Sequence, residues 1–167
     1  MNAESTCCFT GPRSPRLPMN GNEYSAEIAA LKTEIRRAVF EAYYDGFRFF
    51  MSGMAEGFDV FAAEAVLELK KEYEGIFLVA VLPYSDAPKR HSAAICRRIE
   101  NIMQNADFVY SLGEAHIPGC ELRRNKYMVE NSSRIIGYYN GLSSGTAHCW
   151  NYALEKGLET VNLYESV

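Results

Sequence analysis

The sequence predicts an α/β fold, a doubly wound and mainly parallel sheet of about six strands with helices on both faces, formed by a single domain over residues 1–167. Three observations lead there. Short apolar runs alternate with longer stretches of helical period, the strand-like runs end in glycine or polar turns, and no repeat, low-complexity tract or linker divides the chain. Such alternation builds right-handed βαβ units, whose parallel strands are covered on both sides.

The elements follow in chain order. The first strand, 6–9, contains Cys7 and Cys8. Neighbours on a strand point to opposite faces, so two small apolar side chains there require cover on both sides. Residues 13–21 carry proline and glycine and directly follow that strand, which makes them a rim loop. Residues 23–45 place Ile28, Leu31, Ile35 and Val39 on one helical stripe. A strand at 47–52 runs through the turn between Gly53 and Gly57 into a helix at 58–73, striped by Phe61, Ala65 and Leu69. Then come a strand at 76–82, a helix at 89–105, a strand at 107–112, a helix at 123–132 and a strand at 134–139. A helix at 146–156, closed by Gly157 as C-cap, precedes the last strand, 160–164.

Composition excludes several classes. A chain of 167 residues, 48% hydrophobic, can bury a sizeable core. Its net charge of −4 argues against broad electrostatic adhesion to DNA or acidic membranes. No basic-then-apolar leader opens the chain, and the longest apolar run, 76–82, is far short of the ~20 residues that span a bilayer. A cytoplasmic protein without a membrane partner is expected. The five cysteines are odd in number and lack paired spacing, so they read as reduced thiols, with Cys120 in a loop either packing or reactive. His91, His116 and His148 show no metal-ligand spacing and no nucleophile elbow occurs, so no metal site is expected.

Parallel strands gather their outgoing turns along the carboxyl edge of the sheet, where ligands bind. Gly53 and Gly57 permit backbone angles closed to other residues, and free N–H groups at the following helix start attract an anion. The third glycine and the distal acid of the dinucleotide fingerprint are missing. Met54 leaves room for a ligand, and Asp59 either caps the helix or accepts a ribose hydroxyl. Arg13 is the favoured cation for phosphate. The loop 140–146 repeats the logic for a second phosphate, with flexible Gly141 and Gly145, Ser143 or Ser144 as cap and the Thr146 hydroxyl. Lys89, Arg90 and His91 open one expected helix and Arg123 and Arg124 another, where the dipole is already positive; they bind an anion or are solvated beside carboxylates. Tyr84 is a candidate for stacking on a base, or for packing in the core or at the rim. Catalytic residues are unknown, with Glu56, Asp59 and Glu130 the carboxylates placed to move a proton.

Thr10-Gly11, the run from Gly53 to Asp59 followed by Ala62-Ala63-Glu64, Gly119-Cys120, Arg124 to Val129, and Tyr139-Asn140-Gly141 with Gly145-Thr146 together resemble the YpsA family of the SLOG superfamily. The resemblance covers nearly the whole chain. It implies a Rossmann-like domain related to the LOG phosphoribohydrolases, often labelled lysine decarboxylase-like, and to the DNA-processing protein DprA. It further implies recognition of a nucleotide, an NAD-derived molecule or an ADP-ribose-like ligand. LOG enzymes carry Arg-Lys-x-x-Met and a Pro-Gly-Gly-x-Gly-Thr-x-x-Glu loop, to which Arg124, Met128, Gly145 and Thr146 look equivalent. The connection before Gly145 is longer, and Cys149 stands where the loop glutamate would be. Pro12 and Ser144 also depart from the common Thr-Gly-His-Arg-Pro and Gly-Gly-Thr patterns.

The resulting expectation is a binding or sensing module. Gly11, Arg13, Gly53, Met54, Gly57 and Asp59 would form one side of its site, with Arg124, Asn125, Gly141, Ser144, Gly145 and Thr146 on the other. One alternative is an N-glycosidic hydrolase in which Glu56 or Glu130 replaces the missing carboxylate. Another is a DprA-like binder of single-stranded nucleic acid using Arg97, Arg98, Arg123 and Arg124, against which the net acidity speaks. The apolar helix faces serve either the core or a homo-oligomer.

Overall fold

A computed structural model describes residues 1–165 of the chain. Its main elements are β1 (Thr6–Thr10), α1 (Ala26–Tyr44), β2 (Phe49–Ser52), α2 (Phe58–Lys70), β3 (Phe77–Leu82), α3 (Ala93–Asn105), β4 (Phe108–Ser111), α4 (Cys120–Glu130), β5 (Arg134–Gly137), α5 (Gly145–Glu155) and β6 (Glu159–Asn162). The strands form one six-stranded sheet in the order β4-β3-β2-β1-β5-β6, parallel throughout. The chain winds outward from β1 to β4, then crosses back to lay β5 on the other side of β1. That reversal places the topological switch point between β1 and β5.

Each winding direction puts its helices on one face. The first core packs Phe9, Phe50 and Leu78 against Ile28, Phe58 and Ile99 of α1, α2 and α3. The second packs Cys8, Met51 and Val79 against Met128 and Val129 of α4 and Trp150 of α5. Cys7 enters the first core and Cys8 the second, as the alternation of a strand covered on both sides requires.

Local chemistry sets the helix limits. Ser25 caps α1 by accepting from the Ile28 amide at 3.2 Å. At the far end Gly46, at φ 103, lets the Phe47 amide reach back to the Ala42 carbonyl. α5 closes in the same way, with Gly157 at φ 75 and Leu158 bonded to Ala153.

The starts of α3 and α4 differ from the sequence expectation. Residues Ala87–Arg90 form a separate 3-10 turn, and α3 begins only after Ser92, whose hydroxyl caps it at Ile95. Lys89, Arg90 and His91 therefore precede the helix. α4 begins at Cys120, because Gly119 at φ 81 turns the chain there, so Arg123 and Arg124 lie inside the helix. Cys120 is accordingly a buried helix residue, 1% exposed, rather than a loop thiol.

The amino edge of the sheet is closed by Arg134, which is buried, lies over the Phe47 ring and bridges Asp45 and Glu159 at 2.8 Å each. Among the described residues no helix is long and apolar enough to cross a membrane.

Candidate functional site

Two adjoining cavities open along the carboxyl edge. The switch-point cavity, of about 520 Å³, lies between the loop after β1, the start of α4 and the start of α5. A second, of about 430 Å³, lies between the loop after β2 and the segment after β3. Arg13, Ala55, Glu121 and Arg124 line both, so the two form one groove.

The loop after β2 is held by its own polar groups. The Ser52 hydroxyl donates to the Asp59 carbonyl at 2.8 Å and accepts from the Met54 amide at 3.2 Å. The Ala55 amide reaches the Asp59 carboxylate at 3.4 Å. Met54 is left at φ 57 while its side chain is buried. A non-glycine residue in that region costs ~1–3 kcal/mol and persists only where its surroundings dictate it.

The start of α2 is closed to ligands. The Phe58 amide donates to the Pro12 carbonyl at 3.2 Å, and a Cβ on Gly57, at φ 97, would sit 2.7 Å from the Ser14 nitrogen and 2.8 Å from the Pro12 oxygen. The expected anion cradle at this helix start is thus filled by the first loop. Gly57 lines neither cavity of the groove, and its φ of 97 gives it a conformational role.

The start of α5 is open. Ser144 caps it by accepting from Ala147 at 3.1 Å, and a Cβ on Gly145 would meet nothing within 4 Å. The amides of Gly145 and Thr146 have no intrahelical acceptor, and both residues line the switch-point cavity.

Arg124 joins the two loops. It is only 6% exposed; one terminal nitrogen donates to the Gly53 carbonyl, and Nε donates to Asn125 Oδ1 at 2.8 Å. A Cβ on Gly53 would sit 2.8 Å from the Asp59 carboxylate and press on the guanidinium, so any larger residue here displaces the Arg124 side chain. Gly11 is likewise pressed against the Phe58 ring. Arg13 and Arg16 are exposed on the groove and engage in no ion pair among the described residues. Most other arginine side chains are held by carboxylates or carbonyls, as Arg98 is by Glu23 and Glu64 and Arg123 by the Leu112 carbonyl.

Asp59 is buried, and burial raises its carboxyl above the ordinary value against the opposing pull of Arg124, the Ala55 amide and Arg13. Burial also lowers the His91 imidazole, with Arg13 acting in the same sense, although Glu56 lies 3.7 Å away and opposes the shift.

The other expected residues divide clearly. Tyr84 lines the second cavity but is 4% exposed and meets His116 edge-on at 5.5 Å, a wall rather than a free stacking platform. Gly141 is exposed and lines neither cavity of the groove. Glu130 lies at the far end of α4, ~15 Å along the helix from Cys120, where it accepts from the Tyr152 hydroxyl at 2.5 Å. Cys149 is 2% exposed in the second core, and burial pushes its thiol up to about 11. It offers no substitute for a loop carboxylate. Glu56 alone among the proposed replacements faces the groove. Arg16, Arg90, His116 and Glu121 also line the groove. Arg16 was legible only as part of the rim loop, and Glu121 only once α4 was known to start at Cys120.

Comparison with known proteins agrees with this architecture. The YpsA model, described as the YspA SLOG family, matches residues 7–164. A UPF0398 protein of Brevibacillus brevis is 25% identical over 127 residues, covering 75% of this chain and 68% of the relative. The SPbeta prophage-derived protein YoqJ of Bacillus subtilis is 29% identical over 116 residues, covering 62% and 68%. Among solved structures, DNA processing protein A (DprA) of Streptococcus pneumoniae superposes with a TM-score of 0.64 at 18% identity, over 94% of this chain and 49% of that one. DprA of Helicobacter pylori, described by its single-stranded DNA binding mode, gives 0.64 at 19%, over 95% and 64%. The chain thus spans about half to two thirds of the DprA chains, which share its fold.

Proposed function

The chain belongs to the YpsA SLOG family, and from that premise we propose that it is a single binding domain for a nucleotide or nucleotide-derived phosphate ligand, seated in the groove at the carboxyl edge. One observation carries the reading: Arg13 and Arg16, which engage in no ion pair among the described residues, line the switch-point cavity together with the open start of α5. Guanidinium groups opposite free helix amides form a receptor for phosphate oxygens. Arg124 lines both cavities, and the second, bordered by Gly53, offers room for the remainder of the ligand. Sensing rather than hydrolysis fits the burial of Cys149 where the related hydrolases carry a carboxylate.

The test is a thermal-shift titration with AMP, ADP, NAD and ADP-ribose, followed by chromatography of the bound ligand. Binding raises the melting temperature by mass action. Arg13→Ala removes an exposed side chain and should weaken binding ~10–100-fold, the effect of losing a charge-assisted hydrogen bond of ~1.5–3 kcal/mol, without altering the unliganded protein. Equal affinity in the variant would reject this placement. Released base, lost in Glu56→Gln, would favour the hydrolase instead.

A second reading is single-stranded nucleic acid along the same groove, favoured by likeness to proteins of which one is described as binding single-stranded DNA. The arginines first considered for it do not make one surface: Arg97 and Arg98 lie on α3, Arg123 and Arg124 on α4, and these helices cover opposite faces. Oligonucleotide affinity that falls steeply with salt and depends on Arg13 and Arg16 would support it.

A further inference from the structure

Beside the second cavity, which His116 and Glu121 line, an imidazole, a thiol and a carboxylate converge. The ligand atoms of His116, Cys120 and Glu121 all lie within 4.8 Å of one another. Cys120 Sγ is 3.1 Å from Glu121 Oε2, and His116 Nε2 is 4.0 Å from Glu121 Oε1. We propose that these residues bind a borderline divalent cation of the zinc class, leaving a fourth coordination position open to the cavity.

The donor set matches such an ion. Zinc takes thiolate, imidazole and carboxylate ligands at ~2.0–2.3 Å, so tetrahedral ligands stand roughly 3.3–3.6 Å apart. The separations here bracket that range. Small rotations close the set, because the side chains of His116 and Glu121 are 44% and 40% exposed while Cys120 is fixed in the protein. Gly119 at φ 81 makes the arrangement: it turns the chain so that Cys120 and Glu121 start α4 and His116 lies close to them. A search of the sequence for paired histidines or cysteines passes over this His-x-x-x-Cys-Glu pattern.

Charge supports a divalent ion over a monovalent one. In the bound state thiolate and carboxylate together neutralise the two positive charges of the ion. That neutrality matters because Arg90 and Arg124 line the same cavity and would repel an uncompensated cation. Three protein ligands with an open position is the pattern of reactive rather than closed structural zinc sites. Because His116 and Glu121 border the arginine-lined cavity, an anionic oxygen bound there can complete the coordination.

The experiment uses the full chain, stripped with a chelator and titrated with cobalt and then zinc in the absence of any nucleotide, so its outcome is independent of the ligand reading above. One equivalent of cobalt should bind with a thiolate-to-metal charge-transfer band that zinc abolishes. His116→Ala and Cys120→Ser should each weaken zinc binding by at least the ~10–100-fold that losing an outer-shell partner costs. Cys96→Ala, which changes a thiol outside the cluster, should bind as the parent does. His116→Ala alters an exposed side chain, so it remains decisive should Cys120→Ser fail to fold by circular dichroism. Absence of the charge-transfer band in the parent chain, or undiminished zinc affinity in folded His116→Ala, would overturn the site.

Discussion

At the scale of single residues, Asp59 shows how the groove is tuned. Its carboxyl is raised above 3.8 chiefly by burial, so the folded protein retains a proton that the unfolded chain has released. The stability from this group is therefore complete below about pH 3.8 and declines as pH rises through the raised value. Asparagine keeps an acceptor for the Ala55 amide and carries no charge. Asp59→Asn should melt above the parent near pH ~7, with the gap narrowing toward pH ~4, in parallel melting curves across that range. A gap that does not change with pH would assign Asp59 another role. Arg13 was legible in the sequence because a cation followed a strand-ending turn. Tyr84 was legible as a core, rim or stacking residue; the choice among these depends on neighbours such as His116, distant in sequence.

Elements carry the next level of argument. Ser144 holds the first turn of α5 open toward the switch-point cavity by bonding Ala147. Ser144→Ala should lower unfolding stability by ~1 kcal/mol in a urea titration. Its effect on ligand affinity should be smaller than that of Arg13→Ala, because the Gly145 and Thr146 amides remain in place. The strands and helices were readable from period and glycine punctuation, since a doubly covered strand is an apolar run and an amphipathic helix has its stripe. What sequence could not resolve was which glycine or serine acts. Ser92 and Gly119 decide where α3 and α4 begin, and the helical pattern around them gives no sign that the preceding residues fold separately. The same blind spot hid the closure of the α2 start, which depends on a contact between the first loop and Gly57.

For the whole molecule, the winding concentrates chemistry at one edge and leaves another exposed. β4 is the last strand on its side, and Phe108, Val109 and Tyr110 are 40%, 44% and 37% exposed. Unprotected apolar edge strands template association. Val109→Lys should reduce heat-induced aggregation measured by light scattering with little change in ligand binding at the distant switch point. Order around the sheet was predictable only as far as handedness goes; that β5 returns beside β1 follows from packing of α4 and α5 on the second face. β1, shared by both layers, has a practical consequence. Cys7 and Cys8 are successive, wholly shielded thiols, one beneath each helical layer. An alkylating reagent reaches either sulfur only when the layer above it lifts away. Peptide mass mapping after timed labelling would then separate the opening rates of the two halves within a single proteolytic fragment, with no introduced probe.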